Sequence, residues 1–328
     1  MFSAIYIEEE VALWPRVRNI LASYPSIPHI YCERYGEVFN RKSQNFRLQK
    51  SSPALILAKK HGKFVLPSPE GYGFDNNPSY YFSHMLNCIY DCRYCFLQGM
   101  YRSANYVLFV NYEEFEKSLS DVIDENSGPS VFYSGYDCDS LALEPVSKFC
   151  EYFLPFFTKR PEATLEVRTK STQIRSFLDR EAIDNCVIAM SFSPTQQAER
   201  WENRVPSIGK RIEALVKLQK AGWKVALRFE PIVVEQGSHL AYQELFQQVF
   251  SGLQVDQLHS VSSGLFRMPV EFHKNIVKLY PDEELFSRKT QVKGGMLALK
   301  SIDEEDELDK IESSLKSFVS VEQFYRCG

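Results

Sequence analysis

Short apolar segments typical of β-strands alternate with amphipathic segments typical of α-helices between residues 80 and 279. The strand-like segments are residues 80–82, 131–133, 165–168, 186–190, 225–229 and 258–261. The helical segments are residues 112–123, 144–157, 174–178, 208–221, 241–250 and 270–279. This alternation predicts parallel strands joined by helical crossovers, with the loops that carry chemistry at the carboxyl ends of the strands.

Six such units predict an α/β fold: a partial (β/α)6 TIM-like barrel with an extension at each end. The predicted division is an N-terminal extension over residues 1–78, the barrel over 79–280 and a C-terminal extension over 281–328. The N-terminal extension contains one predicted buried strand, at residues 54–58. In the C-terminal extension we expect a hairpin over 289–300 that turns at Gly294, a helix that begins at Asp303 and a strand over 321–325.

The loop after the first predicted strand carries Cys88, Cys92 and Cys95 in the spacing C-x3-C-x2-C. In electron carriers, four thiolates hold a cubane [4Fe–4S] cluster. Three thiolates therefore leave one iron with open coordination positions. The spacing predicts a cluster that can bind a further ligand at this iron.

Two other interpretations start from the same cysteines. His84 lies four residues before Cys88, so one histidine and three cysteines could bind zinc tetrahedrally. Structural zinc sites usually separate two short ligand pairs by a longer insert, whereas these ligands lie in one run. A disulfide is favoured less, because the other cysteines are scattered along the chain.

The cysteine motif, with Tyr94 and Phe96 on either side of Cys95, resembles that of the radical S-adenosylmethionine (SAM) superfamily. Within that superfamily, most of the chain resembles the spore photoproduct lyase family. The segments that carry the resemblance, in the family's order, are Tyr6-Ile7-Glu8, Tyr94-Cys95-Phe96-Leu97-Gln98, Val167-Arg168-Thr169-Lys170, Glu230-Pro231-Ile232 and Val321-Glu322-Gln323-Phe324. The resemblance implies a barrel of the radical SAM type.

The resemblance also implies the cofactors. Cys88, Cys92 and Cys95 would hold a [4Fe–4S] cluster, and SAM would bind its open iron. Members of the superfamily reductively cleave SAM to a 5′-deoxyadenosyl radical that abstracts hydrogen from a substrate, here unidentified. An electron donor such as flavodoxin or ferredoxin is the expected partner. The residues predicted to contact SAM are Gly135, Ser140, Lys170, Ser191 and Arg228.

In the lyase itself, the reaction splits a thymine dimer formed in spore DNA, and a cysteine with nearby tyrosines returns a hydrogen. The predicted catalytic residues are accordingly Cys138, whose weak S–H bond suits that role, and Tyr94. Phe96, however, has no O–H group where a relay tyrosine is expected, and an ungapped alignment places the family's cysteine at Tyr136. Three functions stay open: a lyase-like radical SAM enzyme with another substrate, a DNA repair lyase, and a non-catalytic iron–sulfur or zinc module.

Arg228 and Glu230 flank Phe229 on the fifth predicted strand, so both side chains point to the same face of the sheet. An unpaired charge inside a barrel is costly. We therefore expect Arg228 and Glu230 to form a buried pair that faces the ligand. Four further cysteines lie outside the cluster motif and are not the candidate hydrogen donor Cys138. We expect them to be structural: Cys32, Cys150, Cys186 and Cys327.

Composition limits the compartment and the partners. The 328 residues carry a net charge of −4, which argues against tight binding of nucleic acid irrespective of sequence, because such binding depends on Lys and Arg. This charge is compatible with a nucleotide substrate or a local basic groove. No apolar run is long enough to cross a membrane and no export signal is visible at the start, so no membrane association is expected. An oxygen-sensitive cluster motif and unpaired cysteines predict a reducing, cytoplasmic location.

Overall fold

The computed structural model describes residues 2–69, 72–73, 77–300 and 304–327. Its strands in chain order are β1 (Ile5–Glu8), β2 (His29–Cys32), β3 (Leu55–Ala58), β4 (Leu66–Pro67), β5 (Ser79–Phe82), β6 (Met85–Leu86), β7 (Asp91–Cys92), β8 (Tyr106–Phe109), β9 (Ser130–Ser134), β10 (Ala163–Thr169), β11 (Cys186–Ser191), β12 (Glu202–Asn203), β13 (Lys224–Ile232), β14 (Ser260–Leu265), β15 (Arg267–Pro269), β16 (Thr290–Lys293), β17 (Met296–Leu299) and β18 (Phe324–Arg326). Its helices are α1 (Pro15–Ala22), α2 (Gly36–Phe39), α3 (Phe46–Ser51), α4 (Leu97–Met100), α5 (Tyr112–Glu125), α6 (Glu144–Ser147), α7 (Phe149–Thr158), α8 (Arg175–Leu178), α9 (Thr195–Trp201), α10 (Ile208–Lys220), α11 (Ser238–Phe250), α12 (Val270–Leu279) and α13 (Glu304–Lys316). None of the helices in these ranges combines the length and the apolar character needed to cross a membrane.

The larger sheet is a curved half-barrel with the strand order β18-β14-β13-β11-β10-β9-β5-β4. Strands β5, β9, β10, β11, β13 and β14 are the six predicted barrel strands, and they are parallel neighbours in sequence order. At one edge β18 adds a further parallel strand, and at the other β4 is antiparallel. The predicted barrel strands are therefore confirmed.

Alternation along the barrel strands separates an apolar outer face from an inner face that carries both small apolar residues and charged ones. On β13, Val225, Leu227 and Phe229 are buried in the hydrophobic core, and the Phe229 ring lies 4.8 Å from that of Phe246 on α11. Each such side chain contributes about 1.5–3 kcal/mol when it is fully buried. Arg228, between two of these residues, points to the opposite face. The outer face thus holds the helices in place, and the inner face is left for polar chemistry.

The predicted second helix is divided in the structure. α6 ends at Ser147 and α7 begins at Phe149, because Lys148 adopts a left-handed conformation with a φ of 53°. The carboxylate of Glu144 accepts the backbone N–H of Cys150 at 3.1 Å, which supplies an acceptor at the start of α7. Val146 and Phe149 are both buried and keep helical spacing across Lys148, so the sequence pattern contained no sign of the break.

The N-terminal region forms a second sheet, of which the sequence predicted only β3. Its strand order is β2-β1-β3-β8-β6, and β1, β2, β3 and β8 are parallel. Strand β8 belongs to the segment predicted as barrel, yet it pairs with β3. The chain therefore crosses back over the predicted division at residue 78.

The C-terminal extension contains the predicted hairpin. β16 and β17 pair antiparallel around Gly294 and Gly295, whose φ angles are 57° and 78°. Two successive left-handed residues suit a two-residue hairpin turn, and glycine adopts them without strain. The predicted helix start at Asp303 lies outside the described residues. The last strand covers 324–326, later and shorter than the predicted 321–325.

Candidate active site

A cavity of about 650 Å³ opens at the carboxyl ends of the barrel strands. Its wall includes Gly135 after β9, Lys170 after β10 and Ser191 at the end of β11. Position at the strand ends was the reason for predicting these residues. The predicted site residues that line it are Cys88, Cys92, Tyr94, Cys95, Gly135, Cys138, Lys170 and Ser191. Ser140 and Arg228 lie behind this wall.

The cysteine loop is held in place by three other parts of the chain. The Nζ atom of Lys50, on α3, donates to the carbonyl of Cys88 at 3.0 Å and to that of Tyr90 at 3.1 Å. Strand β7 pairs antiparallel with β12, with Cys92 opposite Glu202. Arg93 forms an ion pair with Asp91 at 2.9 Å and lies over the Tyr280 ring of the segment after α12. The loop therefore has a fixed backbone although it contains little regular structure.

The three thiols of this loop are free and face one cavity. Burial raises the pKa of the Cys88 thiol to about 12 and also raises the pKa of Cys92 and Cys95. A thiolate here needs a nearby positive charge, such as a metal centre, to be stable. Within the described ranges, no three His, Cys, Asp or Glu side chains lie close enough together to share a single metal ion. A four-iron cluster takes one thiolate per iron, so its ligands stand farther apart, and the donor set fits such a cluster.

His84 does not join the cysteines. Its ring stacks on Phe149 in the hydrophobic core, with 4.3 Å between the ring centroids. Burial lowers the pKa of His84 to about 3, and both ring nitrogens are buried without a hydrogen-bond partner in the described part of the chain. The zinc interpretation needed His84 as the fourth ligand, and the residue lies outside the cavity wall.

A tight turn connects β9 with the cavity. Gly135 adopts a left-handed φ of 80°, and a Cβ atom there would collide with the Ser140 hydroxyl and lie 3.0 Å from the carbonyl oxygen of Cys138. The Ser140 hydroxyl lies 2.8 Å from the Ser134 hydroxyl, and the backbone N–H of Ser140 donates to the carbonyl of Arg168. The prediction that Ser140 contacts SAM is therefore not favoured, because its polar atoms close the turn.

Asp139, which the sequence analysis did not select, organises the same loop. Its carboxylate accepts hydrogen bonds from the Thr169 hydroxyl at 2.7 Å and from the backbone N–H of Lys170 at 2.7 Å. It also accepts the N–H groups of Leu141 and Ala142 at 3.0 and 2.9 Å. Burial raises the pKa of Asp139 despite these donors. The carboxylate ties the loop after β9 to the end of β10. An aspartate in the loop that follows a predicted barrel strand was the signal that could have found it.

Tyr94 is held by a buried polar network. Its hydroxyl donates to Glu202, which forms an ion pair with Arg211 at 2.5 Å. Arg211 also donates to the carbonyl of Ser191 at 2.8 Å, and the Lys170 ammonium lies 5.5 Å from the centre of the Tyr94 ring. Burial alone would raise the pKa of Glu202, but Lys170 and Arg211 outweigh it and lower this pKa. Glu202 thus joins the cysteine loop to the end of β11.

Arg228 and Glu230 do not pair with each other, so the predicted ion pair is wrong. The Nη2 atom of Arg228 lies 2.9 Å from Glu166 on β10, and the Ser262 hydroxyl donates to Glu230. The predicted face is right, since Arg228 also reaches the Ser260 hydroxyl inside the barrel. The pairing differs because the inner faces of β10 and β13 approach each other across the curved sheet. Arg228 is therefore part of the barrel interior and not of the cavity wall.

Aromatic rings form one side of the cavity. The Tyr136 ring stacks on Tyr81 with a centroid distance of 4.4 Å and lies 5.7 Å from that of Phe96. Phe96 stacks in turn on Phe272 at 6.2 Å. Tyr136, Phe96 and Phe272 line the cavity together with Cys138, so both positions considered for the hydrogen-donating cysteine face it. Such a wall can stack planar ligands.

Two thiols outside the cluster motif also line the cavity. Cys138 is buried, and burial raises its pKa well above the ordinary value, which keeps it a thiol. Cys327, expected to be structural, follows β18 and lies against Gly264, whose missing side chain makes room for it. Its N–H donates to the carbonyl of Ser263 at 2.8 Å. The sequence could not place Cys327, because its position depends on the pairing of β18 with β14.

Comparison with known proteins shows what the chain resembles. A family model described as "Spore photoproduct lyase" matches residues 73–326. Spore photoproduct lyase of Bacillus subtilis strain 168 is 24% identical over 283 residues, which span 84% of this chain and 80% of that protein. The Clostridium acetobutylicum lyase is 21% identical over 293 residues, 87% of this chain and 84% of that protein.

Solved structures of the same kind of protein have a similar fold. A spore photoproduct lyase complexed with dinucleoside spore photoproduct superposes with a TM-score of 0.83 at 18% identity, over 100% of this chain and 98% of that chain. A variant with bound AdoMet and the same dinucleoside gives a TM-score of 0.84 at 18% identity with the same coverage. These similarities confirm the predicted fold class and the predicted family.

Proposed function

The chain belongs to the spore photoproduct lyase family of radical SAM enzymes, and on that premise we propose that it repairs, by radical SAM chemistry, a thymine lesion in a dinucleotide or in DNA. The observation that carries the proposal is one cavity lined by Cys88, Cys92, Cys95 and the separate thiol of Cys138. The first three thiols suit a cluster, and the fourth suits hydrogen transfer. A cluster site beside a hydrogen donor accounts for these four cysteines around one cavity.

The cofactor end of the cavity would be formed by the cysteine loop and the strand ends beside it. Cys88, Cys92 and Cys95 would hold the [4Fe–4S] cluster, whose reduced form in this superfamily cleaves SAM to a 5′-deoxyadenosyl radical. Gly135, Lys170 and Ser191 face the same space and would contact SAM. Tyr90, Cys92 and Tyr94 of this loop are buried, which would limit the access of water to this end. An external one-electron donor such as flavodoxin or ferredoxin would supply the electron, and a reducing cytoplasm suits this chemistry.

The substrate end would be formed by Cys138 and the aromatic wall. The solved relatives contain a dinucleoside spore photoproduct, and Tyr136 and Phe96 offer ring faces to planar bases. Cys138 would give its hydrogen atom to a carbon radical of the substrate, so that a C–H bond forms and the sulfur is left as a thiyl radical. Because burial keeps Cys138 protonated, the hydrogen is available at neutral pH.

Tyr94 would act beside Cys138 in returning the hydrogen. Its hydroxyl donates to Glu202. This carboxylate would take the phenol proton when the ring passes one electron to the Cys138 thiyl radical, which becomes a thiolate. Phe96 has no hydroxyl, so a hydrogen relay that requires both aromatic positions is interrupted. This difference favours a lyase that consumes more SAM per repaired lesion than one with two relay tyrosines.

Anaerobic reconstitution with iron and sulfide tests the proposal. We expect bound iron, and with dithionite and SAM we expect 5′-deoxyadenosine, whose formation rises when spore photoproduct dinucleotide is added. Cys92→Ala should lose the iron and the 5′-deoxyadenosine, whereas Cys32→Ala, on the exposed strand β2, should keep both.

Three results would separate the alternatives. Absence of iron, or iron without cleavage of SAM, would mean a non-catalytic module. Cleavage of SAM that the photoproduct neither stimulates nor consumes would mean a radical SAM enzyme with a different substrate. With Cys138→Ala, unchanged repair products would remove Cys138 from the mechanism.

A further inference from the structure

Arg168 is a cation of the cavity wall that the proposed chemistry does not use. It lies near the end of β10, two residues before Lys170. Its Nε donates to Glu166 at 2.7 Å and its Nη2 donates to the carbonyl of Tyr72 at 3.3 Å. The guanidinium carbon lies 4.2 Å from the centre of the Tyr72 ring and 4.8 Å from that of Tyr133. These contacts fix the plane of the guanidinium group, and Nη1 has no hydrogen-bond partner among the residues that the structure describes.

The charges of the cavity wall fall into two groups. Lys50 and Lys170 lie within electrostatic range of the cluster cysteines, with Asp139 beside them. Arg168, Arg267 and Glu230 lie within range of Cys327, at the other end. Arg168 is paired with Glu166, which it shares with Arg228 behind the wall. Among the described residues, three arginines (168, 228 and 267) against two glutamates (166 and 230) give this end a charge of +1, in a chain whose net charge is −4. An end of a cavity with an excess positive charge attracts an anion.

We propose that Arg168 binds the phosphodiester of the substrate, so that the enzyme prefers a dinucleotide lesion over the same lesion without a phosphate. The inference rests on the proposed function and names one group of its substrate. The guanidinium group can donate a charge-assisted hydrogen bond to a phosphate oxygen through Nη1, and its planar orientation is already fixed by Glu166 and the tyrosine rings. Arg267, exposed at the same end, adds charge without a fixed orientation.

The structure also indicates that Arg168 can be replaced without loss of the fold. Glu166 has a second partner, Arg228, whose Nη2 lies 2.9 Å from Oε2. After Arg168→Met the buried carboxylate keeps this ion pair. After Arg228→Met the fully buried partner is lost, so we expect this variant to lower the unfolding temperature strongly. The two variants separate binding from folding.

Equilibrium binding to the reconstituted protein, with SAM and without reductant, tests the proposal. The probes are the spore photoproduct of thymidylyl-thymidine, which contains the phosphodiester, and the matching dinucleoside photoproduct, which does not. The wild type should bind the dinucleotide about 10- to 100-fold more tightly than the dinucleoside, the range expected for hydrogen bonds to a charged group. Arg168→Met should abolish this preference and leave dinucleoside binding unchanged.

If the Arg168→Met protein is unstable, Arg168→Lys provides a second variant, because it keeps the positive charge. It should retain only part of the preference for the dinucleotide over the dinucleoside. Arg175→Met, at an arginine whose side chain is 91% exposed, is the matched control and should bind both probes as the wild type does. Equal binding of the two probes by the wild type, or a preserved preference in both Arg168 variants, would overturn the assignment while the proposed function stands. A parallel loss of dinucleoside binding in those variants would make Arg168 structural. If the wild type binds neither probe, both the proposed function and the assignment of Arg168 fail.

Discussion

At the scale of single residues, Gly135 is a position where the backbone conformation and the neighbouring atoms both require glycine. It combines a φ of 80° with a neighbourhood in which a Cβ atom would collide with Ser140. We expect Gly135→Ala to reduce the free energy of unfolding by about 2–4 kcal/mol, because it adds left-handed strain to overpacking. The variant should also bind SAM more weakly, since the turn lines the cavity. Urea denaturation and equilibrium binding of SAM measure the two effects.

Gly237→Ala is the matched control for this prediction. Gly237 has a φ of 75°, and no heavy atom lies within 4 Å of the place that an alanine Cβ would take, so the substitution adds strain alone. We expect it to cost about 1–2 kcal/mol. Equal losses in the two variants would show that the Ser140 contact is unimportant.

Residues of the site differed in how visible they were in the sequence. Cys88, Cys92 and Cys95 were predictable because their spacing within one loop carries the chemistry. Glu202 was not, since the Tyr94 hydroxyl that it accepts lies 108 positions away along the chain. Arg168 lay inside a recognised segment, but its role depends on rings supplied by Tyr72 and Tyr133.

At the scale of elements, α3 stabilises the cysteine loop through one side chain. Lys50 is 7% exposed and donates to the carbonyls of Cys88 and Tyr90. Lys50→Met keeps the apolar stem and removes both hydrogen bonds, each unsatisfied carbonyl costing about 1–3 kcal/mol. We expect less iron per chain after reconstitution and a lower unfolding temperature. Lys42→Met, at an exposed lysine, should change neither, and full iron content in the Lys50 variant would contradict the prediction.

The strands β10 and β13 are joined inside the barrel by Glu166 and Arg228. Burial would raise the pKa of Glu166, but Arg228 and Arg168 lower it from 4.5 to about 2. A lowered pKa in the folded state stabilises the fold above the unfolded value, and this contribution is lost as the pH falls through about 2. At neutral pH, Glu166→Gln should lose about 3–5 kcal/mol, because it leaves buried arginines without their carboxylate.

The pH dependence distinguishes this pair from a surface pair. The difference in unfolding free energy between wild type and Glu166→Gln should be constant above about pH 4.5 and should shrink between about 4.5 and 2. Denaturant titrations across this range measure it. Glu162→Gln removes an exposed partner of Arg160 and should cost at most about 1 kcal/mol. A difference that does not depend on pH would mean that Glu166 is not ionised in the fold.

Local patterns predicted the barrel strands but not the N-terminal sheet. The barrel strands are short apolar runs, and β10 and β13 place polar residues between the apolar ones that face the helices. Crossover helices follow these strands. By contrast, β8 has four buried residues and no alternation. Its partner β3 lies 51 residues earlier in the register, beyond the reach of any local pattern.

At the scale of the whole molecule, the two sheets depend on each other. Strand β8 leaves the barrel segment to complete the N-terminal sheet, and Lys50 of the N-terminal region returns to support the cysteine loop. Strand β18 of the C-terminal extension pairs with β14 at the barrel edge. The division into residues 1–78, 79–280 and 281–328 stays a prediction about sequence segments, and these contacts favour one cooperative unit over three folding units.

Isolating the barrel segment tests that dependence. Residues 79–280 alone would expose the buried strand β8 along its edge with β3 and would lose β18 beside β14, so we expect a fragment without a cooperative thermal transition. The full chain should unfold in one transition, seen alike by circular dichroism and tryptophan fluorescence. When residues 79–328 are mixed with residues 1–78 as a separate chain, part of the cooperative thermal transition should return. The reason is that β3, held by β1, again pairs with β8. If the isolated barrel segment instead unfolds cooperatively near the midpoint of the full chain, then its stability comes from the (β/α)6 core alone, and the N-terminal sheet is an appended layer.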